Sequence, residues 1–327
     1  MLTDPRKISV SLLLCALVML LTACHGVSQT AAPPAENETN APAKAEFAPR
    51  TIQHLMGETV IQSKPEKMAV LIPSMSDFLL SVNETPHAAV SAGPNNKEFS
   101  WYLQDRMSNT INLGWLVNAT NLEAIVDANP DLILANNAFA KVYEQLSKIA
   151  PTIIIEPAET EDGSKDWRQT FLMTAEIVGK ENEAKQVIAA YDEKAKQARD
   201  TIAKAIGEET VMFLRVTDKE LRYYGAKNFG VLYQDLALHK PAHFPDNSAT
   251  FQPLSMEVLP EINPDHIFLL TESPDKLAEI QKTSVWNSLT AVQKNQVYPV
   301  DYDLWFQGFG PIANQLIIEE AVEKLTK

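Results

Sequence analysis

The chain has 327 residues, with 28 Lys and Arg against 42 Asp and Glu and a formal charge of −14. Such a surface excludes binding to nucleic acid or anionic lipid through clustered positive charge. Two cysteines are too few for a disulfide-stapled scaffold or a thiolate metal centre, so a packed core must hold the chain, and its length is enough for two lobes.

Arg6 and Lys7 precede an apolar run over 8–21, interrupted only by Ser9 and Ser11. The run is too short for a membrane span and reads as a secretory signal over residues 1–23. It ends in Leu21-Thr22-Ala23-Cys24, which resembles the lipobox of bacterial lipoproteins. That resemblance implies lipid on Cys24 and an anchor on the extracytoplasmic face of the cell membrane. Cys15 falls in the segment to be removed, so the mature chain is expected to have no free thiol and no disulfide. Residues 24–50, rich in Ala, Pro, Glu, Asn and Thr, read as a flexible tether.

Globular patterning starts at Thr51. Residues 51–62 predict a strand with a turn at Met56-Gly57, and 68–72 a short buried strand. Pro73 and Ser74 open a helix to about Val82, followed by a strand over 88–91 and an aromatic-rich helix or loop near 98–107. Thr120-Asn121-Leu122-Glu123 caps a helix that Pro130 ends. Residues 132–135 predict a strand, 142–149 a helix and 152–155 another strand, which is the alternation of a parallel α/β lobe over 51–165. No strand appears over 166–206. Residues 167–178 predict an amphipathic helix stopped at Gly179, and 181–206 a longer one whose apolar positions recur at three- and four-residue steps. Alternation resumes at Val211 and runs to 297–300, and Gly310-Pro311 starts a final helix, giving a second lobe over 207–327.

The two lobes share a repeat. Asn121-Leu-Glu-Ala-Ile-Val-Asp-Ala-Asn-Pro-Asp-Leu-Ile-Leu134 matches Ser255-Met-Glu-Val-Leu-Pro-Glu-Ile-Asn-Pro-Asp-His-Ile-Phe268 at a constant offset, and Tyr143-Glu-Gln-Leu146 then matches Trp286-Asn-Ser-Leu289. The repeat predicts two related lobes, joined by the long helix, with a ligand cleft between them.

These elements, with the 167–198 helical stretch and the Trp286 to Tyr298 ending, resemble the ferric siderophore, haem and cobalamin class of solute-binding proteins of ABC importers. Within that class the chain is most similar to hydroxamate- and citrate-type siderophore receptors. The resemblance covers about residues 51–327. It implies two Rossmann-like lobes with mainly parallel sheets bridged by one rigid helix. It also implies a monomer that captures a ferric siderophore and hands it to ABC permease and ATPase subunits, with iron carried in the ligand and no cofactor. Haem or cobalamin remains an alternative ligand.

A ferric siderophore brings its own iron ligands, so the receptor needs aromatic walls and a few donors for outward oxygens; arginine suits this through its planar fork. Arg215, Arg222 and Tyr224 lie on two predicted strand ends around a tight turn, and Arg215 follows an apolar run where a charge is unusual. An ion pair with Asp218 or Glu220 is the alternative role. Phe229 lies in a loop before the next helix, and Trp305 in a loop before the last one, where relatives have aromatic contacts. First-lobe candidates are Trp101, Tyr102, Trp115 and Phe139, the last after the 132–135 strand, at the end where α/β sheets place ligands. Relatives often place an arginine in the loop before Asn121; here 116–120 has none, which disfavours a strongly anionic ligand. The resemblance further implies one carboxylate per lobe for docking on permease arginines, at Asp77 and Glu257. Charge compensation at a helix N-terminus is the alternative for both. No phosphate loop, Gly-x-Ser-x-Gly or His-Glu-x-x-His motif is present, and the six histidines form no tight ligand pair beyond the loose His239 and His243. Neither a catalytic set nor a metal site is expected, and an extracytoplasmic enzyme on this scaffold is the contrasting alternative.

Overall fold

The computed structural model describes residues 47–93, 97–116, 121–161, 163–244 and 251–327. Cys24 and the proposed signal and tether, apart from 47–50, lie outside them. Strands β1 (Arg50–His54) and β2 (Gly57–Ile61) pair antiparallel across Leu55 and Met56, where Gly57 takes φ 126°. This hairpin packs against the first lobe through Ile52 and Ile61.

Five short strands form the first-lobe sheet: β3 (Met68–Val70), β4 (Ala88–Ala89), β5 (Ile111–Asn112), β6 (Leu132–Asn136) and β7 (Thr152–Ile155), in the order β5-β4-β3-β6-β7. All pairs are parallel. Successive residues feed opposite faces: Val70, Leu134 and Ile153 join one core, while Ala69, Ile133 and Ile154 join another. A sheet covered on both faces explains why these strands read as unbroken apolar runs.

The second sheet comprises β8 (Val211–Val216), β9 (Leu221–Tyr223), β10 (Gln252–Leu254), β11 (His266–Thr271) and β12 (Val297–Val300), in the order β10-β9-β8-β11-β12. Here β8, β11 and β12 are parallel, whereas β9 and β10 run antiparallel to their neighbours. The cause is local. Thr217 donates its amide to Glu220 O at 3.0 Å, closing a tight turn that leaves no room for a crossover helix. The first lobe has that crossover, the helix Pro73–Ser81 between β3 and β4.

The repeat is physical. Asn129 and Asn263 both end their helices in the left-handed region, at φ 46° and 40°. Asp131 accepts from the Glu66 and Lys67 amides at 2.7 and 3.0 Å, just before β3. Asp265 accepts from the Thr210 amide at 2.9 Å, just before β8. Each Asn-Pro-Asp turn thus ties the start of one strand to the start of its parallel neighbour.

Helix Trp167–Val178 is capped by Asp166 and stopped by Gly179 at φ 71°. The helix Glu181–Ile206 then runs through 26 residues, about 39 Å at 1.5 Å per residue. Its Ala184 joins a core of the first lobe, while Tyr191, Ala195, Ala198 and Ile202 join one of the second. This is the bridging helix expected from the periodicity. The last helix, Pro311–Leu325, packs on it and on Pro73–Ser81, so the chain's end returns to both lobes. Two local readings differ: 142–149 is a 3-10 turn, Asn137–Val142, followed by a single α-turn, Tyr143–Leu146, and β10, polar and carrying Pro253, gave no strand signal.

Candidate functional site

The carboxyl ends of β6, β7 and β8 face a cleft of about 620 Å³. The first lobe lines it with Pro73, Met75, Phe78, Trp115 and Asn136. The second contributes Arg215, Arg222, Tyr224, Phe251 and Phe306, and Trp167 and Phe229 form its back wall. This is where an α/β sheet offers a ligand its strand ends.

Arg215 and Arg222 are cross-strand partners on β8 and β9, so both guanidiniums rise on one face of the sheet. Each lies over an aromatic ring: Arg215 is 3.8 Å from the Phe306 centroid and Arg222 4.0 Å from that of Phe251. Arg215 donates to the Tyr224 hydroxyl at 2.7 Å and pairs with Glu272. Arg222 pairs with Glu220 at 2.7 Å, one of the two partners considered from sequence. Ring and carboxylate hold each fork in place and leave outward N–H groups for a ligand. Trp115, opposite, has a buried indole N–H with no partner among the described residues.

Of the residues expected to contact ligand, Arg215, Arg222, Tyr224, Phe229 and Trp115 line the cleft. Four do not. Trp305 is fully buried, with its ring stacked on Phe268 at 4.7 Å and its indole N–H donated to Glu320 at 2.7 Å; a packed core needs that volume, and the neighbouring Phe306 faces the cleft instead. Phe139 turns into the core beneath the sheet, and Ala138 borders the cleft. Trp101 lies outside it, donating to Asp301 of the other lobe at 2.9 Å, and Tyr102 packs between the two cores. Both belong to the seam between lobes. Phe251 and Phe306 were missed by sequence reasoning. The aromatic pair Trp305-Phe306 was a usable signal read one residue out of phase.

Asp77 also needs correction as a docking carboxylate, because it is wholly buried. It accepts from the Ile312 and Ala313 amides at 3.0 and 2.9 Å, compensating the N-terminus of the last helix rather than its own. A permease arginine could not reach it. Burial pushes its carboxyl up to about 6, against the pull of those amides, Ser81 and Arg106. Between the unfolded value near 3.8 and that value, the folded chain holds a proton the unfolded chain has lost. This group's contribution to stability therefore grows as pH falls through 6. In denaturant melts at pH 7.5 and pH 5, the wild type is expected to gain about 1–2 kcal/mol on Asp77→Ala at the lower pH. A margin that narrows would refute the assignment. Glu257, by contrast, is exposed in the turn before helix Leu259–Ile262.

Two α/β lobes, a bridging helix and an aromatic cleft at the strand ends define a two-lobed solute-binding protein. A family model described as periplasmic binding protein matches residues 91–304, and the chain belongs to that family. It is 28% identical over 335 residues to the iron-uptake system-binding protein of Bacillus subtilis (strain 168), covering 98% of this chain and 99% of that one. It is 27% identical over 280 residues to the iron(3+)-hydroxamate-binding protein FhuD of the same organism, covering 83% and 84%. The structure of Staphylococcus aureus SirA complexed with staphyloferrin B is similar at a TM-score of 0.72 and 28% identity, over 84% of this chain and 98% of that one.

Proposed function

We propose that this protein captures a ferric siderophore in the interlobe cleft, outside the cytoplasmic membrane, and delivers it to an ABC importer. The observation that carries the reading is the pair of ring-stacked arginines facing a tryptophan across an apolar cleft, in a chain whose relatives are siderophore-binding proteins. The arrangement binds oxygen-rich ligands without supplying iron ligands. The protein acts as a carrier, not an enzyme, and releases its ligand unchanged.

Charge narrows the ligand. Each cation at the cleft has its own carboxylate: Arg215 with Glu272, Arg222 with Glu220 and Lys165 with Glu159. A balanced site supports a complex of low net charge, such as a ferric trihydroxamate, over a trianionic tris-catecholate. Trp115 and Trp167 line the cleft and report binding. Fluorescence titration with ferric hydroxamate, citrate and catecholate complexes, haem and cobalamin should give the tightest binding with the hydroxamates. Binding of haem or cobalamin alone would overturn the reading.

Cys24 is proposed as the lipid attachment site; labelled palmitate should enter the wild type and be absent from Cys24→Ser. Glu257 is proposed as a docking carboxylate. Glu257→Arg should leave siderophore affinity unchanged while cellular uptake falls at least about fivefold, as loss of a charge complement to a permease predicts. Normal uptake would remove Glu257 from that role.

A further inference from the structure

Behind the wall formed by Trp167 and Phe229 lies a second space of about 260 Å³, several times the roughly 30 Å³ of one liquid water. Trp167, Phe229 and Phe309 border both spaces. The charged groups around the smaller one are already committed. Asp166 caps its helix by accepting from the Gln169 amide at 3.1 Å. Arg168 and Asp235 pair at 2.9 Å, and the Tyr191 hydroxyl donates to Asp235 at 2.7 Å. What is left over is neutral. Asn314 is only 5% exposed and borders this space, bringing a side-chain amide to it. The indole N–H of Trp167 is buried without a hydrogen-bond partner among the described residues. Buried polar groups are rarely left so, and an unpaired donor beside an amide on one small space suits a ligand group that can bond to both.

We propose that this space is a side pocket for a neutral arm of the ligand, ending in an amide or hydroxyl, with Asn314 as its recognition residue. The inference rests on the siderophore reading of the main cleft. An amide site gains from an arm that pairs with it and is left unsatisfied by a ligand without one.

Two probes separate the pocket from the cleft: the ferric complex of a linear trihydroxamate bearing an acetylated amine arm, and that of an armless macrocyclic trihydroxamate. The wild type is expected to prefer the linear complex, and in Asn314→Leu the ratio of the two affinities should fall by roughly tenfold. Asn314→Ala, which adds no bulk, should lower the ratio in the same direction. Equal wild-type affinities, or a ratio unmoved by either substitution, would overturn the side pocket while leaving the main cleft intact. Silence of both complexes in the wild type would instead bring down the hydroxamate assignment of the main cleft and the pocket with it. Should neither variant fold, the wild-type preference decides.

Discussion

A Gly310→Ala protein is expected to lose about 3–5 kcal/mol of stability, read as a lowered urea midpoint with an unchanged slope. The backbone at Gly310 takes φ −104°, which any residue adopts, so the cost is steric. A methyl there would lie 2.2 Å from Asp77 Cγ and 2.5 Å from Asp77 Cβ. Asp77 has nowhere to move, because it is fully buried and held by two amides of the last helix. Overpacking of this kind costs about 1–3 kcal/mol, and disturbing two hydrogen bonds to a buried carboxylate adds a comparable amount. Gly114→Ala is the matched control: at φ 70° it meets no atom of the described residues within 4 Å, so it should cost only the backbone penalty of about 1–2 kcal/mol. Equal losses at the two positions would mean that the contact with Asp77 is not what constrains Gly310.

Arg215→Ala should weaken ferric siderophore binding by about a hundredfold, the range of a central arginine hot spot. The side chain is nearly buried and its fork is fixed from two directions, by the Phe306 ring below and by Glu272 and Tyr224 in plane. A ligand therefore meets an arginine already ordered, and little side-chain entropy is lost on binding. Truncation removes the donor and frees Tyr224 and Phe306 to relax into the gap. Arg215→Lys should recover little, since a point charge neither stacks flat on Phe306 nor offers a second planar donor. Full recovery with lysine would show that charge alone matters. Unchanged affinity in the alanine variant would remove Arg215 from the site.

Much of the scaffold was legible because its signals are local. Gly179 stops one helix and the next shows an unbroken apolar stripe, so both helices could be bounded from sequence. The Asn-Pro-Asp repeat was readable because each turn needs an asparagine at positive φ and an aspartate for the neighbouring strand's amides. Arg215 and Arg222 stood out as charges flanking apolar strand residues. What stayed hidden depends on distant partners or on phase. Trp305 and Phe306 are adjacent, and nothing local tells which one a four-residue helix turns into the core. Phe139 lies in a 3-10 turn, where a period of three replaces 3.6 and redirects the ring. Asp77 looked like a surface acid on a first-lobe helix because its partners lie 235 and 236 positions away.

That separation sets an order of events. Asp77 meets Ile312 and Ala313 across 235 and 236 positions, so the contact can form only when the chain is present through the last helix. Until then the Asp77 carboxylate has no amides to bond and the helix that carries it lacks its cover. A product truncated before the 15-residue helix Pro311–Leu325 would keep every strand and yet leave Asp77 without these amides, with an open, wettable seam in their place.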